Sequence, residues 1–409
     1  MPKRPYDLVL FGATGFTGQL VAEYLLERYG VNQEFRWALA GRNRSKLEAL
    51  RVALQGVKPR IALPLLEADS ADATALAELA RKTRVICSTV GPYSKHGTLL
   101  VAACARNGTD YCDLTGEVPW IARMIRDYQS RAEASGARIV HSCGFDSIPS
   151  DLGTWFVQEA MHKAHGIYAS RVRGRIGKTR GAASGGTVLS LMGVVEEARN
   201  NATTRRRLRD KYWLYPAGEL PGPPAKDQLL PRFDPCFKQW TTPFLMALIN
   251  ERVVRRSNAL LKFRWGRDFD YDESQLCSSR AQATAISVGM GGAMLGALNP
   301  LARRLMTRWL PQPGEGPDKE TRERGHFELF FDAQHPGDKS SNLRARVTGD
   351  RDPGYGSTSR MLGEAAVCLA MGESSVAGGI WTPASALAPA LIPRLEKNAG
   401  LRFSLQSAH

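Results

Sequence analysis

A strand-like apolar run, Tyr6–Phe11, leads directly into Gly12-Ala13-Thr14-Gly15-Phe16-Thr17-Gly18, and a helical pattern follows from Gln19. Strand, glycine turn and helix in this order open a parallel βαβ unit whose helix N-terminus receives a dinucleotide pyrophosphate. The spacing is Gly-x-x-Gly-x-x-Gly, a variant of the G-x-G-x-x-G fingerprint, and each glycine keeps its task. Gly12 lets the chain turn sharply off the strand. Gly15 lets the backbone approach the pyrophosphate, and Gly18 lets the helix pack against the strand. Ala13, Thr14, Phe16 and Thr17 complete the cofactor-binding loop. Three glycines at a strand end also make a plain tight turn, so the motif carries weight only when the neighbouring elements fit it.

Strands and helices alternate after that turn. Strand candidates are Arg36–Ala40, Ala62–Glu67, Val85–Thr89, Asp110–Asp113 and Arg138–His141, with helical patterns between them. This rhythm predicts an α/β fold with a doubly wound, Rossmann-type parallel sheet. Ser45, with Glu48 three residues on, reads as the capping box of the second helix. At the tip of the second strand an acid would meet the ribose hydroxyl of NAD, and a base the 2′-phosphate of NADP. The tip carries Arg42 and Asn43, with Arg44 and Lys46 close by and no acid. NADP(H) is therefore the expected cofactor, although a basic loop is often only a solvated one. Asp69, after the third strand, is placed to meet the adenine, or with Ser70 to cap the next helix.

The nucleotide unit is expected to occupy 1–145. Residues 146–350 read as an α+β substrate domain of mixed sheet, with strand candidates at Tyr168–Arg175, Phe263–Phe269, His326–Ala333 and Leu343–Thr348. Residues 351–409 supply helices, Gly356–Met371 and Pro383–Lys397, that pack back on the nucleotide unit. Between Arg280 and Arg303 the stretch 285–302 carries no charge. Its length just spans a bilayer, but its interruptions (Gly289, Gly291, Gly292, Gly296, Pro300) favour a buried or interfacial helical hairpin.

Formal net charge is +15, so the surface should attract anions: an acidic protein, anionic lipid or a phosphorylated cofactor. No nucleic-acid-binding signature accompanies that charge, and nucleic acid is not an expected partner. Seven scattered cysteines, none in a C-x-x-C pair, predict a reducing compartment and no metal site. The N-terminus runs directly into the first strand and leaves no room for a signal peptide. A cytoplasmic location, with contact at the inner face of the membrane, is expected.

By topology, two segments reach the position of a nicotinamide, beyond the C-terminal ends of the central strands. One is Val90-Gly91-Pro92-Tyr93, where Gly91-Pro92 sets a rigid turn. Tyr93 serves there as proton donor, stacking ring or packed core residue. The other is Cys143-Gly144-Phe145-Asp146-Ser147. Cys143 reads as a buried small hydrophobe. Asp146 orients substrate or, more simply, caps the next helix. Ser184-Gly185-Gly186-Thr187 is a further helix start able to face a substrate carbonyl or to act as a plain cap.

Several segments together resemble the saccharopine-dehydrogenase-like family of NADP-binding oxidoreductases. They are residues 12–18, Ala40-Gly41-Arg42, Thr89-Val90-Gly91-Pro92-Tyr93, Asp110–Glu117, Cys143–Asp151 and 184–187. Arg255–Leu260 and Glu323–His326 also resemble the subgroup of trans-acting enoyl reductases of mycobacterial phthiocerol and phenolphthiocerol lipid synthesis. The resemblance implies hydride delivery from NADPH to the β-carbon of an enoyl thioester and a proton at the α-carbon. The acyl group would ride on the carrier domain of a polyketide synthase. The resemblance transfers no catalytic residue. The enolate that forms needs hydrogen-bond donors, which the helix start at 184–187 or Tyr93 could supply, and Tyr93 is the candidate catalytic residue by its position. The partners so implied are a lipid or acyl-thioester substrate, the carrier domain, a membrane surface and a second copy of the chain. Two alternatives stand beside this reading. One is a saccharopine-type amino-acid dehydrogenase, for which Arg171, Arg173 and Arg175 are candidate carboxylate ligands. The other is a non-catalytic lipid- or membrane-associated protein on the same scaffold.

Overall fold

The structure is a computed structural model that describes residues 4–59, 62–181, 185–299 and 316–406. Strands β1 (Tyr6–Phe11), β2 (Trp37–Gly41), β3 (Leu65–Glu67), β4 (Thr83–Ser88), β5 (Asp110–Asp113) and β6 (Arg138–Val140) run parallel in one sheet. Their connections carry α1 (Phe16–Tyr29), α2 (Arg44–Leu54), α3 (Ala73–Lys82), the short α4 (Tyr93–His96), α5 (Thr98–Asn107) and α6 (Val118–Ser135). Leu8, Val9, Leu10 and Phe11 are all buried. A strand apolar on both faces fits only a sheet covered on both sides, which is what the crossover helices provide.

After α7 (Ile148–His165) a second sheet begins with β7 (Arg171–Arg180). Helices α8 (Gly185–Asn200) and α9 (Ala202–Arg207) follow, then the hairpin β8 (Arg232–Asp234) and β9 (Gln239–Thr242). Next come α10 (Ala247–Leu260), β10 (Asp270–Cys277), α11 (Arg280–Leu298) and the single turn α12 (Lys319–Glu323). Strands β11 (His326–Gln334) and β12 (Leu343–Gly349) precede α13 (Thr358–Ala370), β13 (Gly379–Trp381), α14 (Pro383–Asn398) and β14 (Leu401–Gln406). The first sheet has the order β13-β6-β5-β4-β1-β2-β3 and the second β14-β12-β11-β7-β10-β9-β8. In the second sheet β7 and β10 are parallel and the other pairs antiparallel. The fold is thus a Rossmann-type parallel sheet beside a mixed one. The end of the chain serves both: α13 packs on β4 and β5, β13 extends the parallel sheet, and β14 edges the mixed one.

Several expectations need correction. The cap of α2 is Asn43, whose side chain accepts from Lys46 N, in place of Ser45. Phe263–Phe269 is not a strand. Lys262 and Phe263 adopt positive φ in a turn closing α10, and the strand begins at Asp270. As far as Leu298 the apolar stretch forms one continuous helix, and it is largely exposed rather than buried, with Val288 at 69%. Pro300, Leu301 and Ala302 lie outside the described residues. No helix among the described residues is long and apolar enough to cross a membrane.

Candidate functional site

The glycine turn is built as its spacing requires. Gly12 has φ +85°, and a Cβ there would sit 2.5 Å from Val90 Cγ2 and 2.8 Å from Thr89 Oγ1. A Cβ on Gly18 would press into the Gly12 carbonyl oxygen and lie 2.8 Å from Ala13 Cα. Helix α1 therefore touches the turn backbone at van der Waals distance. Gly15 is its N-cap, with no side-chain cap and no acid in the first turn. Ala13 is buried, and its N–H is held by Ala40 O at 3.2 Å. Thr14 O accepts from Gln19 Nε2 at 3.0 Å. The uncapped N-terminus at Gly15, Phe16 and Thr17 faces a cavity. Uncapped N–H groups, a positive helix end and a surface cleared of Cβ atoms fit a pyrophosphate. Beyond β2, Arg42 is exposed and has no acidic partner among the described residues, whereas Arg44 binds Glu48 Oε1 at 3.0 Å and Leu65 O at 3.1 Å. Arg42 and Lys46 are thus exposed bases at this tip with no acidic partner among the described residues. Asp69 Oδ1 accepts from Ala71 N at 2.8 Å in a turn, and the cap of α3 is Asp72.

The cavity measures about 730 Å³. It starts at the phosphate turn, passes Thr89, Gly91, Pro92 and Tyr93, and continues along α8 and the start of α10. Apolar side chains dominate its walls, among them Leu189, Val194, Val195, Leu245 and Ile249. Val90 stands behind the glycine turn, against Gly12. Ser184 lies outside the described residues. Gly185, Gly186 and Thr187 do line the cavity, and the Gly185 N–H donates to Tyr355 Oη at 3.0 Å. Tyr355 in turn meets Phe16 edge to face at 4.9 Å, so roof helix and phosphate turn share a brace.

The geometry weighs against Tyr93 as proton donor. Its hydroxyl donates to Ser88 O at 2.9 Å and accepts from Leu114 N at 3.4 Å, and its ring packs on Trp120. Burial holds its pKa well above the usual value. A tyrosine with its proton committed to a carbonyl sets the turn and does not release that proton easily. Glu117 completes the arrangement: its carboxylate accepts from Tyr93 N (2.7 Å), Ser94 N (3.0 Å) and Ser190 Oγ (3.0 Å).

The residue whose role the sequence hid is Asp146. It does not cap α7, whose N-cap is Ser147 without a side-chain bond. Asp146 lines the cavity at 8% exposure, and among the described residues no other side chain or backbone group donates to its carboxylate. Burial lifts its pKa to about 7, against a hydrogen bond from its own backbone N–H and with a smaller push from the nearby Asp113 charge. A carboxyl half-protonated at neutrality and open to an apolar cavity is suited to general acid–base work. Its signal is burial, which the sequence does not display. The other charged residues lining the cavity are Arg199, Arg205 and Arg252. The arginines considered as carboxylate ligands are engaged elsewhere: Arg171 pairs with Asp270 at 3.0 Å, Arg175 with Asp234 at 2.6 Å, and Arg173 lies 3.7 Å from Asp234.

A parallel sheet and an uncapped helix end cleared of Cβ atoms are the features of a dinucleotide-binding unit, and similarity to known proteins makes the chain an NADP-dependent oxidoreductase. Residues 8–140 match the family model described as the saccharopine dehydrogenase NADP binding domain. Across nearly its whole length the chain is similar to proteins named trans-acting enoyl reductase. It is 35% identical to one from Mycobacterium tuberculosis over 96% of each chain, and 34% identical to one from Mycobacterium ulcerans over 96% of each. A second M. tuberculosis protein, assigned that name provisionally, is 39% identical over 96% of each chain. The chain therefore belongs to the trans-acting enoyl reductase family. Its fold matches apo saccharopine dehydrogenase (L-Glu forming) from Saccharomyces cerevisiae, with a TM-score of 0.55 and 12% identity over 98% of this chain and 99% of that one.

Proposed function

We propose that the chain reduces the C=C of an α,β-unsaturated acyl thioester carried by another protein. The observation that carries this reading is an apolar cavity of about 730 Å³ that begins at the phosphate turn and is lined by one buried carboxyl with a raised pKa. The names of the relatives support it.

When bound, reduced NADP supplies a hydride for the substrate β-carbon. Gly12, Gly15 and Gly18 clear the surface for its pyrophosphate, the α1 N-terminus holds that group, and Arg42 holds the 2′-phosphate. Asn43 fixes the Arg42 loop by capping α2, while Asp69 shapes the turn beside the adenine. Val90, Gly91 and Pro92 wall the nicotinamide side. Asp146 holds a proton at neutrality and transfers it from its carboxyl oxygen to the substrate α-carbon. Tyr93 and Glu117 position the turn between these groups. The apolar walls exclude water and accept the acyl chain, which leaves the carboxyl with few competing proton acceptors.

In this reading residues 1–145 hold cofactor, 146–350 hold substrate, and 351–409 brace both. The exposed apolar face of α11 supports peripheral contact with a lipid surface, and flotation with vesicles tests it. Amino-acid dehydrogenation is disfavoured, because Arg171, Arg173 and Arg175 lie beside aspartates. NADPH oxidation against a panel of enoyl thioesters, ketones and imines decides the matter. Turnover confined to the enoyl thioester is the expected result, and turnover of an imine or amino-acid substrate alone overturns it.

A further inference from the structure

Four arginines fall within the short segment Arg205-Arg206-Arg207-Leu208-Arg209, at the end of α9. Like charges at this spacing repel one another along a helix. Local acids do little to offset them. Arg207 reaches Asp210 at 3.6 Å, an exposed pair, and Arg205 donates to the Ala198 carbonyl at 3.3 Å. Arg206 and Arg209 are exposed and have no partner among the described residues.

The backbone beneath them is held firmly. Asn201 caps α9 by accepting from Thr203 N and Thr204 N. Thr204, buried, donates to Glu197, which also binds Arg123 at 2.7 Å. Arg252, buried on α10, donates to the Leu208 carbonyl and to Leu248 O at 2.5 Å. Its Nε has no partner although it too is buried. A solvated charge run needs none of this anchoring.

Position adds a second observation. Arg205 and Leu208 line the cavity that starts at the phosphate turn, as do Arg199 and Arg252. Helix α8 runs beside it from Gly185, near the cofactor turn, to Arg199, near α9. At 1.5 Å per residue that path is about 20 Å long. A thioester reaching the turn from this end must hang on a long arm. A carrier-borne thioester hangs on such an arm, joined to its protein through a phosphodiester, so an anion arrives at the rim together with the carrier surface.

We infer that the α9 segment is the docking surface for an acidic acyl-carrier domain. Arg206, Arg207 and Arg209 face acidic side chains of the carrier, and Arg205 at the rim meets the phosphodiester of the arm. The inference rests on the enoyl-thioester reading and adds the place and chemistry of the encounter. Complementary charge of this kind acts chiefly on the association rate, which it raises at low salt.

The test uses the full chain and the double variant Arg206→Glu/Arg209→Glu, both residues lying outside the cavity. NADPH oxidation is followed with one enoyl chain presented on a carrier domain or as its small N-acetylcysteamine thioester. The variant is expected to lose about 10- to 100-fold in kcat/KM for the carrier-borne substrate at low salt. The deficit shrinks as salt rises, since exposed charges are screened beyond about 8 Å at physiological ionic strength. Turnover of the small thioester stays unchanged, which also shows that the variant is folded. Equal kcat/KM of the two proteins for the carrier-borne substrate overturns the docking surface while leaving the reaction standing. So does a variant that loses only its affinity for anionic vesicles, which assigns the arginines to a membrane. Failure of the wild type on both substrates removes the reaction and the docking surface together.

Discussion

Asp146→Asn separates the roles of one carboxyl by two different readouts. The lift of its pKa from 3.8 to about 7 corresponds to about 4 kcal/mol between charged and neutral forms. The folded state therefore binds one proton more than the unfolded state between those values. Stability falls as pH rises through that window and is flat above it. The amide carries no charge at any pH, so the variant lacks this loss. Asp151 and Glu273, also lifted to about 7 by burial, are common to both proteins and cancel in the difference. Urea melts at pH 5 and pH 8.5 should show the variant gaining stability relative to wild type at the higher pH, by at most about 3 kcal/mol, since pH 5 already lies part-way through the window. Turnover moves the other way. A lost general acid costs about 100- to 10,000-fold in rate, and the wild-type decline in kcat above about pH 7 disappears with it. An Asp146→Asn enzyme with near-wild-type kcat and the same alkaline limb refutes the proton-donor role. A stability difference that does not change with pH refutes the raised pKa of the buried carboxyl itself.

Gly18→Ala forces α1 about 1 Å from the turn, because the new Cβ falls 2.8 Å from Ala13 Cα. Denaturant melts should show a loss of about 1–3 kcal/mol, and fluorescence titration an NADPH Kd weakened about tenfold or more; an unchanged Kd removes the close approach from the argument. Arg42→Asp should cost NADPH about 10- to 100-fold in affinity and leave NADH no worse, as loss of a charge-assisted bond requires. Equal losses for both cofactors would place Arg42 away from the 2′-phosphate. Glu117→Gln turns an amide group toward at least one of three donors, Tyr93 N, Ser94 N and Ser190 Oγ. It should cost about 1–3 kcal/mol in thermal or urea melts, and a neutral effect would mean that water replaces the carboxylate.

The nucleotide half was legible because its constraints are local. An apolar run, a glycine turn and a helical repeat announce β1, the phosphate loop and α1 within a few residues of one another. What escaped depends on burial. Helix α10 reads as a charged segment, Asn250-Glu251-Arg252 and Arg255-Arg256, yet all five residues are buried. Asn250 bridges Ser147, Ser150 and Glu273, and Arg256 donates to the carbonyls of Leu214 and Ile380. A helix that sinks its polar face into such partners shows no apolar stripe. Strand β10 hides likewise, since its acids answer arginines of β7 across the sheet. Strand β13 has three residues, and both it and β14 join sheets whose other strands lie far away in sequence. Asp146 looked like a cap because it precedes a helix, and only the cavity around it shows otherwise.

Roof and floor of the cavity are fastened through the same few side chains. Helix α8 buries only Gly185 and Met192, so a shared core does little to hold it in place. Its fixed points are polar. Ser190 binds the Glu117 carboxylate that also holds the N–H groups of residues 93 and 94, and Gly185 binds the Tyr355 hydroxyl whose ring leans on Phe16. Phe16 also lies beneath the Arg322 guanidinium, at 5.4 Å from the ring centre. The fastenings at Ser190 and Gly185 thus end on the turn after β4 and on the phosphate loop, while Glu197 ties the far end of α8 to Arg123 of α6. Hydrogen bonds of this sort contribute about 1 kcal/mol apiece, against tens of buried apolar contacts for a core helix. The space for the acyl chain therefore takes part of its shape from the residues that hold the cofactor's turn, and a change in that turn reaches the roof through Glu117 and Tyr355.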